Sequence, residues 1–244
     1  MTEDTIIKLN KINSDFYNSI GEYFDNSRQY SWQGWDKLWD YIITNKISIT
    51  SILDIGCGNG RFLKFLKDKK VALEKEGIII NFTYTGIDNN EYLLNKAITE
   101  HSEATFINSD IVNDWNLQEE KFDLIVSFGV VHHIPSKEKR LQFVNKIRAL
   151  LNNNGIAIIS IWKFMDDEKI KDKKNDWSQF DIKDRELEKD DYLLSWERGK
   201  ISYRYCHFVS DDEENELFTN INYSFYADGK SGQLNKYVIL NSNS

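Results

Sequence analysis

The chain has 244 residues, 41% of them hydrophobic and 14% aromatic, with a formal net charge of −8. That length suits one large α/β domain or two small ones, and the apolar share supports a real core. The acidic balance argues against a broad nucleic-acid footprint but leaves room for a local basic patch. The two cysteines, Cys57 and Cys206, lack metal-ligand spacing, which points to a reducing compartment without a disulfide. With no apolar leader and no run of about 18 apolar residues, the expectation is a soluble cytoplasmic protein, a nuclear pool allowed, with no membrane partner.

Residues 1–47 read as an N-terminal helical cap. Phe16, Tyr17, Ile20, Tyr23 and Phe24 fall at helical spacing, and Leu38, Tyr41 and Ile42 do so again. Between them, residues 26–35 form a polar and aromatic run. Trp32 and Trp35 are expected in the core. Arg28 beside Trp32 pairs a guanidinium with an indole, which together can grip a planar anion.

An apolar run, Ser51 to Ile55, then ends in Gly56, Gly58 and Gly60, and Phe62, Leu63, Phe65 and Leu66 continue at helical spacing. This reads as strand, tight turn and helix. Glycines there let a ligand lie against the main chain. A dinucleotide turn has the pattern Gly-x-Gly-x-x-Gly, but here the third glycine comes one residue early and Arg61 takes the last position. Asp54 would repel a pyrophosphate and suits a cationic ligand. The competing reading is a glycine-rich turn with no ligand.

A helix over 60–75 leads to a strand over 82–87 that ends at Asp88-Asn89-Asn90. An acidic residue at that place can accept both ribose hydroxyl protons of a nucleotide-type ligand. Its offset from the glycines exceeds the usual ~20 residues, and an inserted loop around 69–81 would explain that. A helix over 90–101 and a strand over 104–108 follow, then Ser109-Asp110-Ile111. The fourth strand, 122–128, is nearly all apolar, as expected for a central parallel strand. It runs into Gly129 to Pro135, with His132 and His133 on the loop. Neither has a metal partner at ligand spacing, so one is expected to orient structure and the other to face substrate, the choice staying open. Ser136 can cap a helix over 137–151 with Leu141, Val144, Ile147, Leu150 and Leu151 inward. Asn152 to Gly155 is expected to turn into a fifth strand, 156–162.

Residues 165–200 form a charged insertion placed where a lid over the crevice would sit, and 165–191 reads as a solvated mobile loop. Strand patterns follow at 192–196 and 201–209. In the second, Ser202, Arg204 and Cys206 share one face, and Tyr203, Tyr205 and His207 the other. Arg204 and His207 therefore lie on opposite faces, and one of them is expected to face substrate. A helix over 212–220 and a closing strand over 234–240 complete the chain. No internal repeat or second domain stands out, so residues 1–244 are expected to form a single domain.

The stretch Asp54-x-Gly56-x-Gly58-x-Gly60 resembles motif I of the class I S-adenosylmethionine methyltransferases. That resemblance implies a Rossmann-like α/β fold with a seven-stranded, mostly parallel sheet, an antiparallel last strand and helices on both faces. It also implies that 201–209 and 234–240 supply strands six and seven. The cofactor would be S-adenosylmethionine, leaving as S-adenosylhomocysteine, with no metal. The binding set carried over is Asp54, Gly56, Cys57, Gly58, Gly60, Asp88, Asn89, Asp110, Ile111, Ser127 and Phe128, with Asp110 accepting from the adenine amino group and Ile111 covering its ring. A narrower resemblance rests on Phe24 to Arg28 with Trp32, Val130 to His133, Trp162, and Tyr203-Arg204-Tyr205 with His207 and Phe208, followed by Glu216-Leu217. These look like the tRNA methyltransferases that esterify 5-carboxymethyluridine at the wobble position. Membership implies tRNA as partner through its anticodon loop, a small zinc-binding activator protein, and Arg28, Trp32, His132, His133, Arg204 and His207 as the catalytic set.

A carboxylate is already ionised at neutral pH, so its attack on a sulfonium methyl needs no strong base. The protein chiefly supplies in-line approach and desolvation. Arg28 or Arg204 would hold the anion, and Trp32, Trp162 and Tyr205 could stack a splayed-out base. Two alternatives stand beside this: a methyltransferase of a small-molecule carboxylate, and a catalytically silent binding subunit of the same fold.

Overall fold

The computed structural model describes residues 1–27, 29–113, 115, 117, 120–166, 170, 176–197, 200–227 and 235–242. Arg28 lies outside the described residues, as do parts of the charged insertion (167–169, 171–175, 198–199) and Leu234 at the expected start of the closing strand.

Four strands, β1 (Ser51–Ile55), β2 (Thr83–Asp88), β3 (Thr105–Asn108) and β4 (Phe122–Ser127), run parallel with β5 (Leu151–Trp162). The sheet closes with β8 (Tyr223–Tyr226) and β9 (Asn235–Asn241), in the order β3-β2-β1-β4-β5-β9-β8. The last strand, β9, is antiparallel to both neighbours. Strand order reverses between β1 and β4, which opens a crevice beyond their C-terminal ends.

The central strands are buried on both faces, and alternate residues feed two cores. Leu53, Ile55, Ile125, Ala157, Ile159, Val238 and Leu240 face one cluster. Ile52, Leu124, Val126, Ile156, Ile158, Tyr237 and Ile239 face the other. The first core takes Phe143, Val144 and Ile147 of α5 (Lys137–Ala149) and Leu217 of α6 (Asp211–Leu217). The second takes Trp35, Leu38 and Ile42 of α2 (Trp35–Thr44) and Phe62, Leu63, Phe65 and Leu66 of α3 (Arg61–Lys75). α4 (Glu91–Glu100) is N-capped by Asn90, whose side chain accepts from Leu93 N–H. No helix among the described residues is long and apolar enough to cross a membrane.

Four expectations change. The run at 201–209 does not enter the main sheet. It forms β7 (Ser202–His207), which pairs antiparallel with β6 (Asp191–Trp196) in a separate hairpin. The remaining sheet position goes to β8, a four-residue strand too short to stand out in sequence. The longer offset before Asp88 comes from α3 continuing to Lys75, so an inserted loop covers less of 69–81 than expected. Asn152 to Asn154 belong to β5, where a register shift between Phe122 and Leu124 absorbs them. Finally, the described part of the charged insertion is anchored. Trp177 and Ile182 are buried against Leu9 and Ile12 of α1 (Glu3–Ser27) and Leu193 and Tyr205 of the hairpin. A few widely spaced apolar residues suffice for that, while Asp181, Lys183, Asp184 and Arg185 stay exposed and Asp191 is buried against His207.

Candidate functional site

A cavity of about 650 Å³ lies between α1 and the C-terminal ends of β1 to β4. Gly56, Gly58, Asp88, Asn89, Asp110, Ile111 and Phe128 line one half, and Trp32, His132, His133, Trp162 and Arg204 line the other. α1 closes it with Asn13, Tyr17 and Phe24, among others. None of the described residues from 165 to 200 lines it.

The glycine turn is built to bring backbone close to whatever occupies the first half. Gly56 sits at φ 75, and a Cβ there would fall 2.4 Å from Val130 Cγ2. Asp88 is pinned by that turn: its two carboxylate oxygens accept from Gly58 N–H and Asn90 N–H, each at 2.8 Å. Asn89 N–H also bonds this carboxylate, and of its about four lone-pair sites some remain for a hydroxyl donor. Burial raises the Asp88 pKa, against the pull of those backbone bonds. Asp110 accepts from Val112 N–H at 3.0 Å and from the Asn113 side chain at 2.7 Å.

Four residues of the expected binding set stand behind the wall instead of on it. Asp54 is buried and accepts from Tyr84 Oη at 2.5 Å. Burial, aided by the Asp88 charge and opposed by the Tyr84 bond, pushes its pKa up to about 7. Cys57 is buried, its thiol packed where a Cβ on Gly86 would fall, 2.8 Å away. Gly60 caps α3 at φ 75, where a side chain would meet His101 Cδ2 at 2.8 Å. Ser127 ends β4 fully buried, its hydroxyl without a hydrogen bond. These positions shape the turn.

In the second half, His133 is locked. Its Nδ1–H donates to the Tyr205 carbonyl at 2.9 Å, and its Nε2 therefore accepts from Tyr17 Oη at 2.8 Å. Burial and the Arg204 charge push its pKa down to about 3. His132 also lines the cavity: its pKa is likewise forced well down by burial, and its Nδ1 is buried with no hydrogen-bond partner. The Arg204 guanidinium lies 5.4 Å from the Phe16 ring centre and 4.8 Å from that of Trp162. Its Nε is buried without a partner, and so is Trp32 Nε1.

His207 does not belong to this group. It lies on the opposite face of β7, with Nδ1 2.7 Å from Asp191 and Nε2 2.6 Å from Glu213. Burial opposes its charge, but the two carboxylates outweigh it and raise its pKa. Tyr205 cannot stack a base either, because it is fully buried with its hydroxyl on Asp191 at 2.8 Å. The alternation of β7 thus separates the pair as expected, with Arg204 on the cavity side.

Among the described residues, two groups bring three potential metal-ligand atoms within 4.8 Å: His132, His133 and Cys206, and Glu188, Asp191 and His207. Folding brings Cys206 to the histidine loop, which sequence spacing alone does not reveal. In the first group both His133 nitrogens are engaged and burial lifts the Cys206 thiol to about 12. In the second both His207 nitrogens face carboxylates.

The methyltransferase domain family matches residues 48–209. The chain belongs to that family. This methyltransferase-family chain is 24% identical over 192 residues to "Probable tRNA methyltransferase 9B" of Bos taurus, covering 78% of itself and 34% of that protein. It is 25% identical over 146 residues to the tRNA (carboxymethyluridine(34)-5-O)-methyltransferase of Saccharomyces cerevisiae, covering 60% of itself and 46% of that protein. It therefore spans a third to a half of the length of these two relatives. A protein of Encephalitozoon cuniculi named as a methyltransferase is 24% identical over 205 residues, with 84% of this chain and 83% of that protein covered. Among solved structures, an S-adenosylmethionine-dependent methyltransferase of Clostridium acetobutylicum matches with a TM-score of 0.64 at 14% identity, over 92% of this chain and 98% of that one. The magnesium protoporphyrin IX methyltransferase of Synechocystis, with S-adenosylhomocysteine bound, matches with a TM-score of 0.58 at 14% identity, over 95% and 98%. These likenesses establish the fold.

Sequence reasoning missed what α1 contributes to the methyltransferase-family site. Tyr17 stood out only as one of several aromatics at helical spacing. Asn13 gave no signal, because a polar residue in a helix usually faces water, whereas here it is buried with both ends of its amide engaged.

Proposed function

We propose that the chain is an S-adenosylmethionine-dependent methyltransferase whose acceptor is a carboxylate, the 5-carboxymethyl group of a tRNA wobble uridine. One observation carries the acceptor class. Arg204, a permanent cation, lines one cavity with Trp32 and the neutral His132, and its Nε is buried without a hydrogen-bond partner. A cation walled by neutral groups favours an anionic ligand, and a carboxylate meets a guanidinium with charge-assisted bonds. Trp162 and Arg204 already stack on each other, so a splayed-out base has a platform beside the anion. The Bos taurus and Saccharomyces cerevisiae relatives are both named as tRNA methyltransferases, and the name of the second, which specifies carboxymethyluridine 34, supports the wobble uridine.

The cofactor suits the first half of the cavity. Gly56 and Gly58 leave room against the backbone, Asp88 offers lone pairs to ribose hydroxyls, and Asp110 and Ile111 would take the adenine. Asp54, ionised, adds negative charge beneath a cationic ligand. When bound, S-adenosylmethionine supplies an electrophilic methyl group on a positively charged sulfur. The chain itself then has three tasks: to orient the carboxylate with Arg204 and His132, to exclude water with Trp32, Phe128 and Trp162, and to leave the carboxylate ionised. His132 and His133, neutral at physiological pH, are not needed as bases, and no metal is called for. With a net charge of −8, the chain would gain RNA affinity from a small zinc-binding activator protein, and we place the complex in the cytoplasm.

The test is transfer of labelled methyl from S-adenosylmethionine to tRNA carrying or lacking carboxymethyluridine, with and without the activator. Label confined to the carboxymethylated tRNA supports the reading, and equal label in both removes it. The charge favours a second reading, a small-molecule carboxylate as acceptor, which methylation in an RNA-free metabolite extract would support.

A further inference from the structure

β7 is an edge strand, and its outer edge is not left to water. Both backbone polar groups of Tyr205 point away from β6: the N–H donates to Asn13 Oδ1 at 2.9 Å, and the carbonyl accepts from His133 Nδ1 at 2.9 Å. The Asn13 Nδ2 amide donates to the His133 carbonyl at 3.3 Å, which closes a three-residue ring of hydrogen bonds. Tyr17, one turn further along α1, holds the outer nitrogen of the same imidazole at 2.8 Å. Two side chains from different elements thus replace a missing neighbour strand at the residue that adjoins Arg204. Such a substitute is specific in register, because a slip of one residue would turn Arg204 to the opposite face.

We propose that Asn13 and Tyr17 are positioning residues for the acceptor: from α1 they fix the histidine loop and β7 so that Arg204 and His132 meet the substrate carboxylate. This rests on the carboxylate reading above. It makes the N-terminal helix part of the acceptor site, whereas the glycine turn and Asp88 hold the cofactor without touching the ring. Small displacements of a positioned group are costly to turnover, so losing the ring should weaken the acceptor side selectively.

The experiment uses the full chain with its activator. In Asn13→Ala the Tyr205 amide exchanges faster than in the unaltered protein. KM for carboxymethylated tRNA rises roughly tenfold, while the Kd for S-adenosylhomocysteine stays within about twofold. Because Asn13 acts through Arg204 as well as His132, adding Asn13→Ala to Arg204→Ala raises KM by clearly less than the roughly tenfold it causes in the unaltered protein. Tyr17→Phe, which keeps the ring shape, shows the same selectivity to a smaller degree and serves if Asn13→Ala does not fold. An unchanged Tyr205 amide, an unchanged acceptor KM, cofactor affinity falling in step, or losses that multiply with Arg204→Ala would each overturn the proposal. Failure of the wobble reading shows elsewhere, as equal labelling of both tRNAs by the unaltered enzyme. The amide measurement needs no acceptor and still decides whether Asn13 holds the strand.

Discussion

Replacing His207 with alanine tests the claim that this histidine clamps the fold and takes no part in the reaction. The imidazole bridges Asp191 at 2.7 Å and Glu213 at 2.6 Å, and it is buried. Removing one member of a buried charged cluster costs about 3–5 kcal/mol. The low end applies here, because both carboxylates keep other donors. Asp191 retains Tyr205 Oη and Glu188 N–H at 2.8 Å each, and Glu213 retains Arg140 Nε at 2.8 Å. For a chain of this size, about 3 kcal/mol corresponds to a Tm loss of roughly 6–12 °C. The sign of the pH dependence follows from the raised His207 pKa. Its contribution is full below the ordinary imidazole value of 6.5 and is lost as pH rises through the higher folded value. Glu213 works the other way. Burial alone would raise its pKa, but the His207 and Arg140 bonds prevail and lower it, so its contribution is present above 4.5 and lost as pH falls through the folded value. Calorimetric melts of both proteins at several pH values should therefore show the widest gap near pH 6, narrowing toward alkaline pH. A gap below about 2 °C at pH 6, or one that widens as pH rises, would refute the clamp. Cofactor affinity should be unchanged, since His207 is off the cavity wall.

Three other outcomes are expected. In Asp88→Asn the amide oxygen cannot serve both Gly58 N–H and Asn90 N–H, and leaving one unpaired costs about 1–3 kcal/mol. Calorimetry should show S-adenosylhomocysteine binding weakened by about 10- to 100-fold, and unchanged affinity would count against the ribose role. Asp54, with its pKa near 7, must ionise to attract a cationic ligand, so S-adenosylmethionine affinity should rise as pH goes from about 6 to 8. Asp54→Asn should flatten that profile, and a flat profile in the unaltered protein would remove the carboxylate from cofactor binding. Gly34 sits at φ 96, where a Cβ would lie 2.6 Å from Tyr237 Cε2. That ring is held by its hydroxyl on Gln33 O at 2.8 Å and by stacking on Phe225 at 5.0 Å. Strain and overpacking together should make Gly34→Ala less stable by roughly 2–5 kcal/mol, measurable by urea unfolding, and a loss below about 1 kcal/mol would show that the ring yields.

The sequence by itself determined the parts whose physics is local. A short apolar run such as Leu124 to Val126, rich in β-branched residues and followed by a glycine, reads as a strand covered on both faces. Glycines at 56, 58 and 60 mark a turn that admits backbone to a ligand, and the strand before them and the helix after them make the crevice predictable. Alternation in β7 correctly separates Arg204 from His207. What tertiary structure decided is which neighbour each group meets. His132 and His133 are equivalent in sequence, and only the approach of Tyr17 and the Tyr205 carbonyl locks one and leaves the other facing the cavity. His207 looked like a candidate for chemistry because imidazole is versatile, but Asp191 and Glu213, brought in from β6 and α6, commit it to the fold. The alternating run at 201–209 is compatible with any sheet, since periodicity identifies a strand without naming its partner. Asn13 was silent for the same reason: hydrogen bonds between residues 120 and 192 positions apart leave no trace in local pattern.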